Sequence, residues 1–451
     1  METVIPFRAW RYAPTAGDLT QLVAPPYDVI GPELQPRLYA RSRFNVVRVD
    51  LGMTTPSDNE CDDQYTRAAA QLAAWKENGI LARDAVPSLT FAEESFTGPD
   101  GQTGVRHGFL GLLRLYDFDQ GVVFPHEETL DAPKKDRFRL MTATEMGLSP
   151  VFVLYDLPGD EITSAWKAGP GTQAPVSAVA GDDGTVTKLW PTSDPGLLES
   201  VGKNLASARF VIADGHHRYE TALRYQTHRH GETEGDRSRV GPRAYDYVLA
   251  YLANMSDPGL AVYATHRLLR GIDPDIIAAL PRSPAPTFRV ERLTSPSGDG
   301  GGGALAAHAA IASYLRAHPR EAFGLWGPGF DAAYGLLLDD HAAARAAAPG
   351  YSLAYQGLDV TILHSLVLER ALGITSADMA AEKYVTYFKD PADAFARLEA
   401  GEFQAGFFMN PTGLDQIRQV ALGGERMPQK ATFFYPKLPT GLVFLDLADG
   451  L

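Results

Sequence analysis

Short apolar runs separated by turn residues recur from one end of the chain to the other, and they predict alternating strands and helices. Residues 4–7 open as a strand. Ala24-Pro25-Pro26-Tyr27-Asp28-Val29 follows as a proline-stiffened loop that displays Tyr27 and Asp28. Residues 44–51 alternate like a strand, whereas Ala69, Leu72, Ala73 and Trp75 fall at helical spacing within 62–77, before an Asn78-Gly79 stop. Two strands, 88–96 and 106–116, flank a Gly-Pro-Asp-Gly loop. The pattern then gives a helix from Lys134 to about Met146 and strands at 150–155, 210–213 and 247–253, with another closing at His266-Arg267. Later come strands at 288–293, 322–326 and 333–338, helices at 305–318 and 358–372, and strand-like ends at 403–410 and 431–447.

That alternation predicts an α/β or α+β fold with mixed sheets and flanking helices. Pro-, Ser- and Gly-rich sequence over 283–304, around the one short strand, divides an N-terminal region of residues 1–282 from a C-terminal α+β region of residues 305–451. At 451 residues the chain is long enough for two or three domains, and 45% hydrophobic with 21% charged residues is ordinary for a folded protein. A net charge of −14 argues against nucleic acid as a partner unless a basic patch is built locally. The single cysteine, Cys61, excludes an intramolecular disulfide and any multi-cysteine zinc site. No basic leader and no membrane-length apolar run is visible, so a cytoplasmic protein without a membrane partner is expected. Oligomeric state is not set by these features.

Three stretches carry candidate chemistry. In the first, the apolar run 210–213 ends in Asp214-Gly215 and passes into a helix that opens His216-His217-Arg218 and extends to about Arg229. Helix-terminal amides, a helix dipole and a guanidinium at one point suit an anion, above all a phosphate. A plainly capped helix with surface histidines shares the Asp-Gly signal but leaves His-His-Arg unexplained. Asp214 suits a base or metal ligand, and His216 with Glu220 at i,i+4 resembles half of a metal site. The second stretch places His126 and Glu127, suited to proton transfer, ahead of Thr129 and the cations Lys134 and Arg137, suited to clamping phosphate. A solvated charge run capping a helix explains it equally well. The third holds Asn410, then Lys430 and Lys437 on a proline-stiffened turn able to close over a substrate, with a lysine-bearing strand edge as the alternative. No phosphate loop of the Walker type, dinucleotide fingerprint or serine-hydrolase elbow is present.

Taken in order, Ala24 to Val29, Pro125-His126-Glu127-x-Thr129, Ala213-Asp214-Gly215-His216-His217-Arg218-Tyr219-x-Thr221-Ala222, Asn254-Met255-x-Asp257-Pro258-Gly259-Leu260, Gly406 to Thr412 and Met427-Pro428-Gln429-Lys430 to Thr440-Gly441 resemble the Domain of Unknown Function 1015 (DUF1015) family along nearly the whole chain. The box Asp214 to Arg218 is in addition similar to the phosphate-binding box of the ParB–sulfiredoxin superfamily, which includes free-serine kinases. This second resemblance implies a ParB/sulfiredoxin-like core. In it Gly215, His216, His217 and Arg218 hold phosphate, and Asp214 or Glu127 acts as general base. Family genes are associated with serine-biosynthesis neighbours, which makes phosphoserine the leading substrate. The expectation is therefore phosphoryl transfer or hydrolysis on a small phosphorylated metabolite, by a phosphatase or phosphotransferase. Asp214 and Glu127 are the candidate ligands for a metal, with magnesium compatible with them, and the metal's identity and nucleotide use both stay open. The alternative is a non-catalytic nucleotide- or metabolite-binding regulator.

Overall fold

Two β-sheets share one apolar layer in the computed structural model, which describes residues 2–128, 131–232, 241–282, 287–294 and 303–448. The first sheet contains β1 (Val4–Ile5), β2 (Leu89–Thr97), β3 (Thr103–Arg114), β4 (Val123–Phe124), β5 (Val151–Tyr155), β6 (Ser177–Ala180), β7 (Val186–Thr192), β8 (Phe210–Asp214) and β9 (Tyr247–Asn254). Their order is β4-β8-β5-β9-β3-β2-β7-β6, with β1 also paired to β3. The sheet is mixed: β4/β8 and β5/β9 run parallel and the other pairs antiparallel.

Burial on both faces explains why the central strands read as continuous apolar runs. Along β9, Tyr247, Leu249, Tyr251 and Ala253 enter the layer shared with the second sheet, while Val248, Ala250 and Leu252 enter a separate core on the opposite face. The same period of two splits Phe152 and Leu154 from Val151, Val153 and Tyr155 in β5. Ile162 and Trp166 of helix Glu161–Ala168 and Leu197, Val201 and Leu205 of helix Pro195–Leu205 belong to that opposite core. Three longer helices matter for the site: α1 (Gln64–Glu77), α2 (Asp131–Thr144) and α3 (His216–Glu232), with α2 contacting both others. Asp63 caps α1 by accepting from the amides of Tyr65 and Thr66.

The second sheet holds β10 (His266–Leu269), β11 (Phe288–Leu293), β12 (Ala322–Trp326), β13 (Ala333–Leu338), β14 (Val385–Phe388) and β15 (Ala405–Met409). Every pair is antiparallel, in the order β11-β13-β12-β15-β10-β14. On one face lie α4 (Ala304–Ala317) and α5 (Pro391–Glu399), whose Ile311, Tyr314, Phe395 and Leu398 form a core with Leu268, Trp326 and Phe408. The other face contributes Leu269, Phe323, Leu325, Leu336 and Phe407 to the layer shared with the first sheet. The chain is thus a mixed α/β structure with flanking helices.

Four expectations are corrected. Residues 44–51 contain a helical turn, Val47–Asp50, and no strand. Asn45 decides this: its side chain donates to the carbonyls of Gln21 and Val23 and accepts the Val47 amide, which closes the turn and buries Val46, Val47 and Val49. His266-Arg267 opens a strand and does not close one. The helix expected at 358–372 is α-helical only over Asp359–Ile362 and continues as a π-helix over Leu363–Ala371. Of 431–447, only Phe433–Tyr435 and Leu445–Asp446 are extended strand. Within 283–304, residues 283–286 and 295–302 lie outside the described residues. No helix among the described residues is long and apolar enough to cross a membrane.

Candidate functional site

Strand β8 loses its regular register against β5 between Ile212 and Asp214, a bulge that re-aims the last side chain of the strand. Gly215 then turns the chain into α3 with φ +88°, a left-handed conformation that favours glycine. A Cβ at this position would lie 2.7 Å from Arg218 Nε, so any side chain here would displace the guanidinium. The first turn of α3 has amides without intrahelical acceptors, and its dipole points at the same spot.

A cleft of about 150 Å³ opens over this turn. Six segments meet there: Tyr27 to Val29, Glu127-Glu128, Ala213 to Arg218, Thr265, Lys389, and Lys430 with Thr432, Phe433 and Lys437. The strip leading to Lys430 is fastened to the second loop. Met427 donates its amide to the His126 carbonyl at 2.7 Å, and Lys430 donates its amide to Glu127 Oε1 at 3.1 Å. Lys430 itself adopts φ +57°.

Asp214 sits between two cations. Its Oδ2 accepts from Arg218 Nη2 at 2.8 Å, and its Oδ1 pairs with Lys437 Nζ. Burial alone raises its pKa, but Lys437 and Arg218 outweigh that and hold the carboxyl well below the usual range. Arg218 is further engaged by Ser149 Oγ at 2.8 Å and the Pro150 carbonyl. Glu127 behaves in the opposite sense: desolvation raises its pKa and outweighs the lowering by the Lys430 amide and the charges of Lys430 and Lys437. Lys389 lies 4.2 Å from the centre of the Phe433 ring, and Lys437 lies 5.4 Å from it. Desolvation, followed by the like charges of Lys437 and Lys430, pushes Lys389 down to about 8. Neither Lys389 nor Lys430 forms an ion pair with a carboxylate of the described residues.

The structure therefore brings Glu127, Asp214, Gly215, His216, His217, Arg218, Lys430 and Lys437 to one cleft. It places the remaining sequence candidates elsewhere. His126, expected as a proton carrier, has a fully buried ring, with Nδ1 bonded to the Ile212 carbonyl and Nε2 to Thr432 Oγ1 at 2.8 Å. Burial pushes it down to about 4, so it is a neutral clamp. Arg137 lies under the cleft, paired with Asp50 at 3.1 Å and Asp136 at 2.6 Å and set 4.2 Å from the centre of the Tyr27 ring. Lys134 pairs with Glu220 at 3.0 Å on the flank of α3. Asn410 donates to the carbonyls of Leu315 and His318, tying down the end of α4. Thr129 lies outside the described residues.

The His216–Glu220 half-site is also corrected. His216 is buried and its Nε2 accepts the His126 amide at 3.2 Å, while Glu220 faces Lys134. Among the described residues no three His, Cys, Asp or Glu side chains are grouped to hold a metal ion. Asp214 has both oxygens engaged, by Arg218 and Lys437, and Glu127 has one engaged by the Lys430 amide. Thr432 and Phe433 lie in the third sequence stretch, beside Lys430 and Lys437, whereas sequence reasoning missed Lys389. Lys389-Asp390-Pro391 reads as an ordinary strand end and helix cap, and Asp390 does cap α5, so no local signal marks the lysine.

No curated protein matches the sequence significantly. Solved structures that match include a conserved hypothetical protein from Pyrococcus furiosus, at 14% identity over 71% of this chain and 92% of that one, with a TM-score of 0.33. A free serine kinase in complex with AMP matches at 12% identity over 71% and 88% of the two chains, with a TM-score of 0.34. SbnI from Staphylococcus aureus, truncated at its C-terminus, matches at 9% over 75% and 87%, with a TM-score of 0.33. A family model described as "Protein of unknown function (DUF1015)" matches residues 4–361, most of the chain, and with it the protein belongs to the DUF1015 family.

Proposed function

We propose that the cleft binds the phosphoryl group of a small metabolite and transfers or hydrolyses it. One observation carries this reading: Lys389, Lys430 and Lys437 converge on a helix N-terminus, where desolvation and then the like charges of Lys437 and Lys430 push Lys389 down to about 8. A bound dianion relieves that repulsion and meets the amides of α3 at the same time. In this reading Asp214 and Arg218 form the scaffold that aims Lys437, and Glu127 is the general base. Its raised pKa suits it to take a proton from an attacking hydroxyl. In hydrolysis the new oxygen–phosphorus bond forms as the ester bond breaks and the proton taken by Glu127 passes to the leaving alkoxide oxygen; in transfer from a nucleotide the anhydride bond breaks instead and the nucleoside diphosphate leaves as an anion.

Whether the acceptor is water or an alcohol separates a phosphatase from a kinase. A specific feature favours a nucleotide as the second substrate: a pocket of about 320 Å³ adjoins the cleft and shares Val29, Lys389, Phe433 and Lys437 with it. Val23, Pro25, Val179 and Tyr435 line this pocket, which gives a flat apolar group a place beside the lysines.

Phosphorus NMR on the protein with phosphoserine, magnesium and ADP tests the reading. Free phosphate identifies a phosphatase, and ATP identifies a serine kinase run in reverse. An unchanged spectrum together with tight phosphate or nucleotide binding assigns a regulator. No binding of phosphate, phosphoserine or nucleotide at millimolar concentration overturns the proposal.

A further inference from the structure

A second cavity, of about 430 Å³, lies between the π-helix Leu363–Ala371 and the strip that ends in Lys430. Its lining includes Thr361, 3% exposed, whose hydroxyl has no hydrogen-bond partner. A buried hydroxyl left unsatisfied is costly, and a ligand group within the cavity would satisfy it. The π-helix brings His364 and Glu369, five residues apart, to the same wall.

Behind His364 stands Arg267, 1% exposed and without a carboxylate partner among the described residues. Its Nε donates to His364 Nε2 at 3.3 Å; its other groups reach the carbonyls of Thr265 and Lys430, the Met409 sulfur at 3.1 Å and the face of Tyr387. Because His364 accepts at Nε2, a neutral ring carries its proton on Nδ1 and is a donor there. One side of the cavity therefore has an uncompensated positive charge behind it, with two donors, the Thr361 hydroxyl and His364, in front. Glu128 and Glu369 supply carboxylates to the same cavity, and Tyr351 stacks on Tyr355 at 4.0 Å along its lining.

We propose that this cavity binds a small zwitterion, a free α-amino acid or close relative, with its carboxylate toward Thr361 and His364 and its ammonium toward Glu128 and Glu369. Both signs of charge are needed, because a simple anion meets the two glutamates and a simple cation meets the field of Arg267 and the guanidinium of Arg426, which also lines the cavity. The site is separate from the phosphate cleft and holds whether or not phosphoryl transfer is the reaction. The two are neighbours: Glu128 lines both, and Lys430 donates to Glu127 on one side and accepts from Arg267 on the other.

Calorimetric titration of the full chain with the common amino acids, and with the amine and the carboxylate corresponding to any that bind, tests this. At least one amino acid should bind, with each half-molecule weaker by about tenfold or more. Thr361→Val and Glu369→Gln should each weaken it about tenfold while inorganic phosphate still binds in the cleft, and Lys437→Ala should leave it unchanged. Should either variant fail to fold, Ser365→Ala takes its place: Ser365 is a residue of the same π-helix that lines the cavity, and its loss should weaken amino-acid binding. Absence of any amino-acid binding to the unaltered chain at millimolar concentration overturns the proposal. So does binding that is lost in Lys437→Ala and kept in Thr361→Val, or an amine or carboxylate alone binding as well as the amino acid.

Discussion

Two arginine–carboxylate pairs grip successive residues of one C-terminal segment, and they are built for opposite ends. Arg106 meets Glu94 Oε2 at 2.7 Å with both side chains fully buried, lies 4.6 Å from the centre of the Phe152 ring, and donates to the carbonyls of Tyr435 and Pro436. Tyr251 donates to the same Glu94 oxygen at 2.7 Å. One residue further on, Lys437 joins Asp214, which also holds Arg218, and here the charges line a cleft open to solvent. The chemistry of the two pairs is alike; access to water separates them. A sealed pair anchors the segment, whereas the open one presents a lysine beside Lys389 and Lys430 where a ligand can reach all three. Charged clusters in a sequence therefore become informative once burial is known.

The sharpest way to test that contrast is to break the sealed pair. Arg106→Leu strands Glu94 without its cation and should cost about 3–5 kcal/mol in urea unfolding; a loss below about 1 kcal/mol would mean that water enters the site. Glu127→Gln is the matching test in the open region. Turnover should fall by about 10²–10⁴ with the unfolding midpoint unchanged, and retained turnover would remove Glu127 as the base. Gly215→Ala probes the turn between strand and helix: left-handed strain and the crowding of Arg218 should cost about 1–3 kcal/mol and weaken phosphate binding.

A smaller effect is expected from pH. Lys389 loses its proton as pH rises through about 8, so phosphate affinity should fall above that pH, and it should fall again below about 6 as the ligand leaves its dianionic state. Lys389→Met should flatten the alkaline limb, and an alkaline limb that survives this change would assign it to another group. Smallest of all, Asn410→Ala removes two bonds at the end of α4, costs about 1 kcal/mol and leaves phosphate affinity alone.

Much of the local architecture was legible before any coordinates. The helix within 62–77 with its Asn78-Gly79 stop, the hairpin of β2 and β3, and the strand–turn–helix around Asp214-Gly215 all follow from periodicity and turn chemistry, which act over a few residues. Residues 44–51 show where that reasoning ends. A buried asparagine satisfied by Gln21 and Val23 turned an alternating run into a helical turn, and its partners lie more than twenty positions away.

The candidate site divides in the same way. The sequence by itself determined which loops carry unusual side chains, that Gly215 must turn the chain, and that a helix would start at His216. Tertiary structure alone decided that Lys389 joins Lys430 and Lys437, that His126 and Arg137 face inward as clamps, and that Arg218 is held by Ser149 and the Pro150 carbonyl. It also set Asp214 and Glu127 apart, one pKa lowered by two cations and the other raised by desolvation. The reason is physical: turn geometry depends on neighbours along the chain, whereas desolvation and electrostatic fields are summed over every group packed nearby, whatever its position in the sequence.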